Sequence, residues 1–198
     1  MLCIVVQTQE KCGVGMSKVR LIFKNVTEIV GSDDVGLLIL VDEQQRRQLT
    51  IPCDRNMLYQ FSLRVKKVPV TNMMLPEVLW KVISTQTEMR FEILINDLID
   101  GQYRAVLYNA ETLEPISTRV SDAMLLAYVS DIPVYIDEKL MKKQSVRYVQ
   151  DARGMSIPVN TLTDEMLRRA LDKAVEDEHY ELASQLRDEM KRRNLLDA

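Results

Sequence analysis

The chain has 198 residues, 46% of them hydrophobic and 28% charged, with six glycines and six prolines. That balance suits one buried core with length left for an appendage, and it excludes collagen-like and low-complexity classes. A formal net charge of −3 excludes the broad electropositive footprint of a nonspecific nucleic-acid binder; Arg46-Arg47, Arg64-x-Lys66-Lys67 and Lys139-x-x-Lys142-Lys143 remain as local basic patches or solvated charged faces.

Three cysteines (Cys3, Cys12 and Cys53), with no Cys-x-x-Cys pair and a single histidine, His179, oppose a disulfide framework or a structural zinc site. They suit a reducing cytoplasm. No apolar run reaches the roughly 18 residues a membrane span needs, so no membrane contact is expected.

Residues 1–15, MLCIVVQTQEKCGVG, read as an extension or a mis-assigned start ahead of Met16. Val19 to Ile29 has strand-like spacing. GLLILV (36–41) and RRQLTIP (46–52) then form a hairpin. DRNMLYQFSLRVKK opens on an aspartate suited to an N-cap, with Met57, Phe61 and Val65 on one helical face. After a break at VPVTN, Leu75, Val78, Leu79, Val82 and Ile83 follow the i, i+3, i+4, i+7, i+8 rule of an amphipathic helix. Trp80 beside that face reads as packing. Met89, Phe91, Ile93 and Ile95 alternate as a strand, and Asp100-Gly101 predicts a type I′ turn into the next strand. ISTRV is a short strand, SDAMLLAYVS a helix and PVYI a further strand. Hairpins mixed with helices predict an α+β domain, a mainly antiparallel mixed sheet packed with helices, over residues 16–145.

Residues 146–160 read as a linker, with the aperiodic stretch beginning near residue 142. Residues 161–195 read as an antiparallel helical hairpin capped at Thr161. Leu167, Ala170, Leu171, Ala174 and Val175 line its first helix; Tyr180, Ala183, Leu186 and Met190 line its second. His179 falls at the turn.

The order A-V-E-D-E-x-Y-E-x-A-x-x-L-R-D-E, from Ala174 to Glu189, resembles the UVR motif of bacterial excision-repair subunits. That resemblance implies a protein–protein contact module without chemistry of its own, with Tyr180, Ala183, Leu186 and Arg187 as partner-binding residues. The main domain resembles the bifunctional nuclease family over roughly residues 17–145. The likeness rests on R-F-E-I-L-I-N-D-L-I-D-G-Q-Y-R-A (Arg90 to Ala105) and on R-V-S-D-A (Arg119 to Ala123) followed by a helix and I-P-V-Y-I. It implies cleavage of DNA, RNA or both. The family's Arg-Pro-Leu-Thr-His-Asp-Leu stretch reads V-P-V-T-N-M-M here (Val68 to Met74), and its Leu-Pro-Ile block appears as LTIPCDRN.

Two readings of Arg119, Ser121 and Asp122 stay open. As a catalytic cluster, Asp122 with Asp97 or Asp100 would hold Mg²⁺ or Mn²⁺ while Arg119 grips a phosphate. As structure, Ser121 would cap the helix, Asp122 would meet its positive end, and Arg119 would close an ion pair. The first makes the chain a nuclease with an open cleft. The second makes it a noncatalytic adaptor that keeps the fold and binds partners through its hairpin. Either is compatible with a homo-oligomer.

Overall fold

The computed structural model describes residues 17–29, 32–149 and 158–196. The extension over 1–15 and residues 150–157 of the linker lie outside the described residues. The architecture is α+β, a mixed and mostly antiparallel sheet with helices, followed by a helical hairpin.

Strands β1 (Lys18–Ile29), β2 (Ser32–Asp42) and β3 (Arg47–Asp54) pair antiparallel in succession. The β2/β3 hairpin buries Leu38, Leu40, Leu49 and Ile51. Strands β4 (Phe91–Ile99) and β5 (Gln102–Asn109) pair across Asp100-Gly101, whose φ angles of 48° and 75° are the two positive values of a type I′ turn. With β6 (Pro115–Arg119), β7 (Val134–Asp137) and β8 (Val146–Arg147) the sheet has the order β6-β5-β4-β7-β1-β2-β3-β8. Only β4 and β7 run parallel, joined through β5, β6 and a helix.

That helix, α3 (Val120–Ser130), is apolar on every side from Ala123 to Val129, after a first turn that carries Ser121 and Asp122; Val120, Ala123, Met124, Leu125 and Ala127 are buried. A helix with no polar face must be enclosed. It packs on β4, β5 and β6 from one arm of the sheet and on β3 from the other, so the sheet curls around it. The degree of curl is large. Strands β6 and β3 are six steps apart in the sheet, about 29 Å if it were flat, yet Arg119 Nη1 lies 3.7 Å from Asp54 Oδ2.

Helix α1 (Arg55–Val65) begins as the sequence predicts, with Asp54 Oδ1 accepting from Met57 N at 2.7 Å. Met57 and Phe61 face inward, and Phe61 stacks on Phe23 with ring centroids 5.2 Å apart while Tyr128 of α3 packs edge-on to both. Val65, expected on that face, is exposed, and Arg64 is buried instead. The Arg64 guanidinium donates to Gln60 and to Glu77 of α2 (Leu75–Gln86), the latter at 2.8 Å. Arg64 therefore belongs to no surface basic patch. Residues 69–73 between α1 and α2 form a 3₁₀ turn.

Two elements occupy the stretch read as aperiodic from residue 142 onward: the end of α4 (Glu138–Gln144), capped by Asp137, and β8. Arg47 donates to the Ser145 hydroxyl and carbonyl, which fastens β3 to this segment. In the hairpin, α5 (Asp164–Glu176) and α6 (Tyr180–Arg192) bury Leu167, Ala174, Ala183, Leu186 and Met190 against each other. Its cap is Thr163, not Thr161; Thr161 turns its hydroxyl back to the Pro158 carbonyl. Arg193, fully enclosed, donates to the carbonyls of Asn160 and Leu162 and to Glu189, so the end of α6 locks the start of the unit.

The hairpin sits against the β4/β5 turn. A Cβ on Gly101 would stand 2.3 Å from the Leu162 carbonyl oxygen and 2.8 Å from Arg193 Nη1. Glycine is thus required twice, by its φ of +75° and by the approach of the hairpin. Gly101→Ala is expected to cost about 1–3 kcal/mol in urea unfolding and to raise amide exchange across residues 158–165. An unchanged midpoint and exchange pattern would contradict this docking.

Candidate functional site

The curl of the sheet opens a cleft of about 820 Å³ between the end of β3 and strands β4 to β6. Arg119 stands at its corner as the last residue of β6 and the residue preceding α3, with backbone angles that provide no side-chain cap for the helix. Its Nε donates to Asp122 Oδ2 at 2.5 Å and its Nη2 to Oδ1 at 3.1 Å, a bidentate fork. Its third nitrogen faces Asp54 Oδ2. Asp54 thereby splits its work, one oxygen capping α1 and the other meeting Arg119. The hydrogen bond and charge of Asp122 hold the Arg119 guanidinium even further above its ordinary range, so it is a permanent cation.

Arg119 is not sealed in this pairing. Its side chain is 69% exposed and lines the cleft together with Ser121, Asp54 and Arg104. Arg104 is directly across from Arg119 in the β5/β6 register, so two guanidinium groups belong to neighbouring strands. Asn96, Gln102, Ser117 and Thr118 add neutral polar groups to the lining. Tyr103, also lining it, is buried with a hydroxyl that has no hydrogen-bond partner, and burial pushes its pKa well up.

Ser121, predicted to be the N-cap of α3, is instead the second residue of the helix. Ser121 lines the cleft beside Arg119 and Val120, at the start of the helix. Asp122 lies in that first turn, as predicted. The metal pair Asp97 and Asp122 is not assembled: Asp97 accepts from the Leu98 N–H and lines a separate cleft with Asp100, Lys143 and Arg192. The β4 bulge at Asn96 shifts the strand there and puts Asp97 opposite Arg104. The second carboxylate on Arg119 is Asp54. Among the described residues, no three His, Cys, Asp or Glu side chains gather as a metal-ligand cluster.

Asp54, Arg104 and Tyr103 were missed as site residues. The available signal was the LTIPCDRN block, which places Asp54 at a strand end; its pairing with a residue 65 positions later is tertiary. The 3₁₀ turn at Pro69–Met73 contributes no residue to this cleft.

A family profile for the bifunctional nuclease domain matches residues 38–148, more than half of the chain. The chain belongs to the bifunctional nuclease domain family. The matched region contains every residue of the Arg119 cleft except Thr163. A second profile, for the UvrB/uvrC motif, matches residues 160–193 and so covers α5 and α6. No curated protein matches the chain significantly.

In this UVR hairpin the four residues expected at a partner surface divide. Ala183 and Leu186 are buried in the hairpin's own core, which removes them from direct contact with a partner. Tyr180, 69% exposed, and Arg187 point outward, joined by the exposed Leu182 and Val175. At these two motif positions the side chains serve helix–helix packing.

Cys53 also lines the cleft but is no nucleophile. Burial, reinforced by the neighbouring Asp54 charge, pushes its thiol up to about 12, so it stays protonated at neutral pH. Peptide mass spectrometry after iodoacetamide treatment at pH 8 is expected to find Cys53 unmodified in the native protein and modified after denaturation. Rapid native labelling would contradict its placement.

Proposed function

We infer that the chain is a nuclease that binds a DNA or RNA backbone in the Arg119 cleft and hydrolyses its phosphodiester bonds. The observation that carries this reading is Arg119 itself: an exposed, permanently charged guanidinium held between two carboxylates and lining an open cleft.

Arg119 engages a non-bridging phosphate oxygen and neutralises charge that grows during attack, with Arg104 adding to the positive field. Ser121 and the N–H groups of the first turn of α3 hydrogen-bond the same phosphate, which the helix N-terminus favours. Asp54, which lines the cleft, is the carboxylate positioned to accept a proton from the attacking water, while Asp122 aims Arg119. A Mg²⁺ or Mn²⁺ ion entering with the phosphate would meet Asp54 and Asp122 and supply further charge neutralisation on the phosphoryl oxygens. The UVR hairpin brings the domain to a protein partner through its outward face at Tyr180 and Leu182.

The alternative, a noncatalytic adaptor, is favoured by the histidine count: the single histidine, His179, precedes α6 and is absent from the Arg119 cleft. The two separate in an assay on single-stranded DNA and RNA, run with Mg²⁺ or Mn²⁺ and with chelator. Cleavage by the wild type is expected, with losses of about 10²-fold or more in Arg119→Ala and a comparable loss in Asp54→Asn, which keeps the α1 cap. No cleavage by highly purified wild-type protein, or equal cleavage by the variants, would leave the adaptor.

A further inference from the structure

Helix α2 is folded inside out. Its stripe of Leu75, Val78, Leu79, Val82 and Ile83, the most regular apolar pattern of the main domain, faces solvent, and no residue of the helix is fully buried. The Arg64–Glu77 pair lies on the opposite side of the helix. The Arg64 side chain is only 3% exposed, and its bond to Glu77 ties that side of α2 to α1. At 100° per residue the apolar stripe lies about 100–240° around the helix from Glu77, centred on the opposite side. Trp80, flanking the stripe, is the side chain that packs on the core.

With Met73 in the preceding turn, 76% exposed, these side chains present on the order of 600 Å² of contiguous apolar surface, at the upper limit for a monomer's largest patch. Two copies of the stripe would bury about 1,200 Å², the size at which stable interfaces begin. The only charged residues of α2, Glu77 and Lys81, are both on the far side from the stripe. Two identical stripes can therefore meet without apposing like charges, whereas nothing charged or polar is offered to select a different partner. An apolar, self-complementary patch is the signature of an isologous homodimer.

We propose that α2 is a homodimerisation helix, packing its Leu75–Ile83 stripe antiparallel against the same stripe of a second copy about a two-fold axis near Leu79 and Val82. The test is light scattering coupled to size exclusion, on the full chain, across a dilution series. The wild type is expected at twice 22.9 kDa. Leu79→Glu and Val82→Lys, both at exposed positions and so compatible with folding, are each expected to run as monomers with unchanged circular dichroism. Mixing the two variants is expected to restore a dimer, because glutamate and lysine then meet across the axis. A monomeric wild type, variants that remain dimeric, or a mixture that fails to pair would overturn the proposal.

Discussion

The enclosure of α3 is the constraint on which the rest of the molecule depends. An eleven-residue helix with apolar side chains on all faces cannot lie on one side of a flat sheet without exposing half of them. Wrapping the sheet around it brings two strands six positions apart to the same corner. The Asp54–Arg119–Asp122 cluster forms at that corner because α1 and α3 both start there, each directly after a strand. The hydrophobic requirement of the core thus creates the polar site, and strain is not needed to explain it.

Local rules were enough to read most elements. The positive φ pair at Asp100-Gly101, the Asp54 cap and the two-residue alternation around Ile93 and Ile95 depend only on near neighbours, and all appear as expected. The misses have tertiary causes. Helix α4 has seven residues, too few to display a period, and is held by its Asp137 cap and its position between β7 and β8. Thr161 and Thr163 both suit a cap; the choice was made by the 3₁₀ turn that occupies Thr161 and by Arg193, which closes on the carbonyl of Leu162. Helix α2 was found in the right place with its face reversed, since periodicity reveals a stripe but not what lies against it. The opposite side, with Glu77 paired to the buried Arg64 and with Trp80 against the core, is the one that meets the domain.

The candidate site was half legible. Arg119, Ser121 and Asp122 are contiguous, so their proximity was certain; what needed the structure was whether they face an open cleft. Asp97 lies beside the aspartate-glycine turn and lines a separate cleft with Lys143 and Arg192. Asp54 supplies the second carboxylate while capping α1, a dual use that a cap motif alone does not disclose. In the hairpin, burial of Ala183 and Leu186 against α5 shows how a recognisable motif can encode the stability of a module, leaving Tyr180 and Leu182 to face outward.

The central claim is that Arg119 leaves its carboxylates to hold a nucleic-acid phosphate. Heteronuclear NMR of the Arg119 Nε–H group, assigned by comparison with Arg119→Lys, during titration with a short single-stranded oligonucleotide addresses it directly. The account predicts a saturable shift of that resonance, weakened by added salt as a phosphate contact must be. A resonance that stays fixed in its Asp122 environment while the oligonucleotide is in excess would contradict it.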